Sequence, residues 1–342
     1  MELTPRKRAI LTEIVKAHIE TGEPIGSKIL ATRLENPPST ATLRSEMSDL
    51  SAMGYLEQPH TSAGRLPTSK AYRLYVSELM EKNPLSDEGK LLIDNMLEKV
   101  LPDPESIGSS AAEILSELTG LPVISAPGVG LSARICRATL MPMGKGSAVV
   151  FVITTDGRTR SRLVRCGFEL TPYLINRFEE IIATSVCTKD IKALDMVYLQ
   201  SVVVSAGLDA LSLAPLISCV FDMAAEFKTA KVNVGGTANL LSVCPDREAK
   251  QILDLLKGSD TVRNLLSNVT EPLGIVFGDD TEYSELAPTG MIVAAFGDKN
   301  ELGRIAVIGP TRMDYETILP SVQYLAQRVG SIMTEVLKGL EE

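Results

Sequence analysis

The 342-residue chain has only two histidines, His18 and His60, and both lie near its amino terminus. No downstream nucleophile therefore has an obvious imidazole base, and no catalytic constellation emerges, so the chain does not read as an enzyme. Its five cysteines, Cys136, Cys166, Cys187, Cys219 and Cys244, are widely spaced and form no CxxC pair. This disfavours a cysteine and histidine metal site and leads us to expect reduced, buried thiols. No run approaches 18 uninterrupted apolar residues, which argues against a membrane span. Arg6-Lys7-Arg8 falls inside a helical pattern rather than before a signal-peptide core, so a cytoplasmic protein is expected. Phosphate loops fail as well. In MPMGKGS (Met141 to Ser147), Gly146 follows Lys145 where Ser or Thr is required, and Leu140 stands where a glycine is needed. Gly128-Val129-Gly130 lacks the third glycine of a dinucleotide fingerprint. No cofactor and no metal are expected.

What is present is ordinary globular composition, 44% hydrophobic and 23% charged, with length for two or three domains. Three helical segments open the chain. The first runs from Pro5 to about Glu20, with Ile10, Ile14, Val15, Ala17 and Ile19 on its apolar face, Thr4 as N-cap and Gly22 as its stop. A short second segment covers Ser27 to Leu34. Pro37 and Pro38 then force an extended approach to Ser39, whose hydroxyl can cap a third helix reaching about Met53.

On that third helix Leu43, Met47 and Leu50 share one face, while Ala41, Arg44, Ser45 and Ser48 turn outward, with Thr42 near the leading end. A small, polar face with one arginine fits a major groove about 12 Å wide, as a recognition helix would. Arg44 is the best candidate for a bidentate guanine contact, refined by Ser45 and Thr42. Next come a strand at Tyr55 to Glu57, a turn at His60 to Gly64 and a returning strand at Arg65-Leu66, the outline of a wing. His60, Thr61, Ser62, Arg65, Lys70 and Arg73 could lie along a phosphate backbone. Winged modules also serve protein contacts, and the pattern alone leaves both uses open.

The net charge of −9 divides unevenly. Residues 1 to 85 hold 11 Lys and Arg against 10 Asp and Glu, giving +1, and the remainder holds 23 against 33, giving −10. Arg44, Arg65, Lys70 and Arg73 must therefore supply locally what bulk charge does not, and a dimer would double the patch.

Lys70 to Glu81 reads as a helix closing this unit, and Asn83 to Gly89 as a linker, placing a boundary near residue 85. Helices follow at Lys90 to Val100 and Ser106 to Leu118. Strands are expected at Arg134 to Leu140, Ala148 to Thr154 and Thr159 to Val164, with Asp156-Gly157 as a hairpin turn, and again at Gly274 to Phe277, Met291 to Phe296 and Gly303 to Ile308. A final helix spans Tyr315 to Leu340. The strands read as one sheet split in sequence, with apolar helices at Pro172 to Cys187 and Leu208 to Phe227 inserted between its halves. Those helices are either a buried pair or the base of an apolar partner surface. Gly235-Gly236 suggests a tight turn after a strand. Asp279-Asp280 is either a cation ligand or, more simply, a solvated acid pair. Thr311 to Asp314 would cap and orient the last helix, unless Arg312 and Asp314 bridge domains instead.

GEPIGSKILA (Gly22 to Ala31), STATLRSEMSDL (Ser39 to Leu50), QPHTSAGRLPTSKAYRLYV (Gln58 to Val76), VNVGGTANLL (Val232 to Leu241) and GRIAVIGPTRMDY (Gly303 to Tyr315) closely resemble HrcA, the heat-inducible transcription repressor family of bacteria. The resemblance spans the chain. It implies an α+β protein: a winged helix-turn-helix domain over 1–85, then a GAF-like α/β domain over 86–168 and 229–342, interrupted by a mainly helical dimerisation domain over 169–228. It further implies double-stranded DNA as partner, read by a homodimer at the CIRCE inverted repeat before chaperone genes, and dependence on the GroEL chaperonin for the active fold. Thr40, Leu43 and Ser45 stand where the family usually has Pro, Ile and Asn. Losing the outward amide at Ser45 removes a possible adenine contact and would shift or relax operator preference. A rival expectation is a winged regulator that senses a small molecule through the GAF-like domain.

Overall fold

The computed structural model describes residues 3–60, 63–101, 103–127, 133–144, 146–228, 232–239, 246–256, 258–287, 289–297 and 302–341. Helix α1 (Pro5–Thr21) starts where expected, with Pro5 in the first turn and the Thr4 hydroxyl accepting from the Lys7 amide. It stops at Gly22, whose φ of 72° is left-handed. Helices α2 (Ser27–Arg33) and α3 (Thr40–Ala52) follow, then the antiparallel pair β1 (Leu56–Glu57) and β2 (Leu66–Pro67). Helix α4 (Ser69–Leu74) runs into a π turn at Tyr75–Leu79. Leu11, Ile14, Leu30, Leu43, Leu50 and Tyr72 are almost wholly buried and close this winged unit.

After α5 (Asp87–Leu97) and α6 (Pro104–Thr119), strand β3 (Val123–Pro127) enters a five-stranded antiparallel sheet. The chain then leaves it for β4 (Ile135–Pro142), β5 (Ser147–Thr154), β6 (Thr159–Arg165), α7 (Pro172–Ile181), α8 (Met196–Ser205) and α9 (Leu208–Lys228). It returns with β7 (Asn233–Gly235), α10 (Asp246–Leu256), α11 (Ser259–Ser267), β8 (Leu273–Phe277), β9 (Thr289–Phe296), β10 (Gly303–Pro310) and α12 (Tyr315–Glu341). The five-stranded order is β7-β3-β10-β9-β8. Alternation along β3 sends Val123 to the α6 and α12 side and Ile124 and Ala126 to the α10 and α11 side. With helices on both faces, β9 is buried along its whole length, which explains its unbroken apolar reading.

One expectation needs correcting. Strands β4, β5 and β6 do not join the split sheet; they form a three-stranded meander of their own. Ala138, Leu140, Val150 and Val152 pack with Phe178, Leu213, Val220 and Phe227 of α7 and α9 in a separate core. The inserted unit therefore begins near Ala133, not at 169, and is α+β rather than mainly helical. Strand periodicity cannot tell which sheet a strand will join. Within α9, Ala210–Lys228 is long and apolar enough to span a membrane by length and composition. Its apolar residues line this core, with Leu213, Leu216, Ile217 and Val220 fully buried. The thiol expectation is met at buried Cys219, half met at Cys166 and Cys187, and not at exposed Cys136; Cys244 lies outside the described residues. Gly235 and Gly236 serve two purposes. Gly236 is left-handed at φ 65°, while a Cβ on Gly235 would sit 2.6 Å from the Ala112 carbonyl oxygen of α6.

The winged unit and the helical face of the main sheet share one continuous apolar core. Tyr72 of α4 and Phe277 of β8 both lie against Tyr315 at the start of α12, with ring centroids 6.3 and 6.2 Å away. Around them the Tyr75 hydroxyl donates to Glu316 at 2.6 Å, and Lys16 pairs with Glu316 at 3.3 Å. The Arg312 guanidinium lies against Gly22 at the carboxyl end of α1, where a cation is favourable. Asp314 accepts from the amide and hydroxyl of Thr317, capping α12 as expected. Truncation by Tyr315→Ala should cost about 3–5 kcal/mol and split a single calorimetric transition into two. A single transition at unchanged temperature would show that the rings do not couple the units.

His18 shares this junction, with Nδ1 2.6 Å from the Tyr72 hydroxyl. Burial, reinforced by the nearby Arg312 charge, lowers its pKa below the ordinary 6.5. The folded protein thus favours neutral His18. This contribution is complete above pH 6.5 and declines as pH falls from there through the lowered folded value. His18→Gln should flatten the loss of urea midpoint between pH 7 and pH 5 relative to the parent. Equal slopes would remove His18 from that account.

Candidate nucleic-acid interface

Helix α3 buries Leu43, Met47 and Leu50 and exposes Arg44, Ser45 and Ser48. Ser39 begins it: its hydroxyl accepts from the Thr42 amide at 3.2 Å and shares a 2.9 Å hydrogen bond with the Thr42 hydroxyl. Both hydroxyls therefore organise the leading turn. Arg44 Nε donates to the hydroxyl of buried Ser27 at 3.3 Å. That bond steadies the guanidinium at its root and does not use its two terminal nitrogens.

Two acids on the same helix would oppose an anionic ligand, and the fold deals with them. Lys7 Nζ lies 2.5 Å from Glu46 and 2.8 Å from Asp49, and Arg6 lies 3.7 Å from Glu46. Hydrogen bonds to Asp49 and then Glu46 raise the Lys7 pKa, so the ammonium is held charged. Periodicity did not single out Lys7 or Ser27. The signal available was a basic residue in the first turn of α1, but its facing α3 is a tertiary fact.

The wing is stitched to the turn before α2. The Ile25 amide donates to the Arg65 carbonyl and the Arg65 amide to the Ile25 carbonyl, each at 2.9 Å. Gly64 makes that approach possible, since a Cβ there would lie 2.5 Å from the Ile25 carbonyl carbon and 2.6 Å from its oxygen. At the tip, the Ala63 amide donates to the carbonyl of exposed His60 at 2.9 Å. Thr61 and Ser62 lie outside the described residues.

The three cations behind the turn face different partners. Arg65 is half-buried, with Nε lacking a hydrogen bond among the described residues. Lys70 donates to the Met53 carbonyl at 2.8 Å and sits 4.4 Å from the centre of the Tyr55 ring. Arg73 turns to the main sheet, 2.5 Å from Asp280 and 5.2 Å from the Phe277 ring centre. Ser69 donates to Asp279 at 2.5 Å. Asp279-Asp280 is thus an exposed acid pair, as expected, that also receives α4 through Ser69 and Arg73.

Comparison with known proteins accords with this geometry. The winged helix-turn-helix transcription repressor, HrcA DNA-binding family matches residues 2–81, and the HrcA protein C terminal domain family matches residues 105–319. The heat-inducible transcription repressor HrcA of Clostridium perfringens (strain 13 / Type A) is 33% identical, over 98% of this chain and 97% of its own. That of Desulfitobacterium hafniense (strain DSM 10664 / DCB-2) is 30% identical, over 98% and 99%. A crystal structure of a hypothetical protein superposes with a TM-score of 0.73 at 21% identity, over 98% of this chain and all of that one, and so shares the fold.

Gly64→Ala should force the wing from Ile25 and cost about 1–3 kcal/mol. Faster hydrogen exchange at the Ile25 and Arg65 amides, with α1 to α3 unchanged, is the expected record. Unaltered exchange would mean that the two backbones accommodate a methyl group.

Proposed function

The chain belongs to the HrcA family of heat-inducible transcription repressors, and from that premise we propose that it represses chaperone genes by binding the CIRCE inverted repeat as a dimer. The observation that carries the reading is α3, capped by Ser39, presenting Arg44, Ser45 and Ser48 outward with its acids held by Lys7. Arg44 reads guanine through its terminal nitrogens, with Thr42 and Ser45 refining the choice. Ser39, Ser48, His60, Thr61, Ser62, Arg65 and Lys70 supply phosphate and groove contacts. Arg73 adds a phosphate contact at the margin, in exchange for Asp280.

The dimer is formed by the inserted unit. Its support is the apolar surface of α7, α8 and α9, where Tyr173, Met196, Val197, Val204 and Leu211 are 61% to 80% exposed. Two winged units related by a twofold axis would meet successive major grooves. The GroEL chaperonin assists folding to the active form, so that heat, by diverting chaperonin to damaged proteins, leaves the repressor inactive.

Gel-shift titration of the full chain, folded with chaperonin, on the inverted repeat and on a scrambled duplex tests the reading. Arg44→Ala should lose about 1–3 kcal/mol of discrimination between them, and Lys70→Ala should lower the salt slope by about one while sparing discrimination. Indifference of the parent protein to the palindrome at low ionic strength would defeat the proposal.

A further inference from the structure

A cavity of about 290 Å³ lies between the first turns of α6, the β3 and β7 edge of the main sheet, the last turns of α12 and the tip of the β5–β6 hairpin. It is roughly ten times the volume of one liquid water. Ser125 of β3 and Asn233 of β7 are direct cross-strand partners, so both side chains lie on the sheet face toward α6. Ser125 is 2% exposed, and its hydroxyl makes no hydrogen bond among the described residues.

Opposite them α6 carries Gly108, a residue that weakens a helix interior. A Cβ there would lie 3.5 Å from Asn233 Nδ2 and 3.6 Å from Ser125 Oγ, so any longer side chain would fill the space. Phe296, Met333 and Leu337 form an apolar wall. The rim charges already have partners: Glu105 with Arg160 at 2.7 Å, Asp156 with Arg158 at 2.6 Å, and Asp103 with the Ser106 amide at 2.9 Å. Among the described residues, each rim charge is thus engaged by an opposite charge or, at Asp103, by a helix-start amide, which leaves little for an ionic guest to pair with.

We infer that this cavity binds a small uncharged molecule, with an amide- or hydroxyl-type edge against Ser125 and Asn233 and an apolar body against Phe296, Met333 and Leu337. The hairpin tip is seated on the rim, since a Cβ at Gly157 would lie 2.7 Å from Pro104 and 3.1 Å from Leu337. A guest therefore touches both the inserted unit and the main sheet.

The site stands apart from the DNA-binding reading, so the test uses the full chain without DNA. Benzamide, benzoate and benzylamine are similar in shape and differ in charge; each is titrated by saturation-transfer NMR. Saturable benzamide binding is expected, with both ions at least about ten-fold weaker. Ser125→Ala should weaken benzamide about five-fold. Gly108→Leu should abolish binding with an unchanged circular dichroism spectrum, and Asn233→Leu takes its place should Gly108→Leu not fold. Absence of benzamide binding, undiminished binding in these variants, or preference for either ion overturns the inference.

Discussion

Tyr315 is the residue on which the architecture turns. It begins the last helix, yet its ring lies between Tyr72 of the winged unit and Phe277 of the main sheet, fully buried. A winged unit is small, and small units gain little stability from their own cores. Sharing a core with α12 offsets that weakness and fixes the direction in which α3 points. The polar contacts around the rings, Glu316 with Lys16 and Tyr75, and Arg73 with Asp280, set the orientation that apolar packing alone would leave loose. Tyr75 and Lys16 outweigh the desolvation of Glu316, so its carboxyl titrates below the usual range and stays charged at neutral pH.

Charge in the first 85 residues is local rather than bulk. With 11 cations against 10 acids, an averaged field gives a phosphate backbone little attraction. The fold sorts those charges by neighbour. Lys7 holds two acids of α3, Arg33 pairs with Glu13 and Glu20, and exposed Arg44 spends only its Nε on Ser27. Acids of this nearly neutral unit are thus paired with cations from other helices.

Much of the winged unit was legible in the residues because its signals are local. Pro5, Thr4, Gly22 and Ser39 mark helix ends by chemistry that acts within a few positions, and Leu43, Met47 and Leu50 mark a face by spacing. The outward placement of Arg44, Ser45 and Ser48 follows from that face. What the residues did not disclose is tertiary: Lys7 against α3, Ser27 beneath Arg44, Arg73 turned toward Asp280. Strands β4 to β6 were found at nearly the right positions but assigned to the wrong sheet, because alternation reports one buried face and not which neighbour covers it. Helices α8, α10 and α11 were not anticipated, and β7 was legible only through the glycine turn that follows it, because three residues are too short to show a period.

The place where the chain leaves the main sheet has an evolutionary consequence. Strands β3 and β7 flank the inserted unit in sequence and are paired directly, Val123 with Gly235 and Ser125 with Asn233. Paired strands stand only about 4.8 Å apart, so the excursion departs and comes home at almost one point. A module joined through so narrow a neck can be lengthened, recombined or replaced while the host sheet keeps its register. Selection can thus reshape that module without redrawing the winged unit at the other end of the fold.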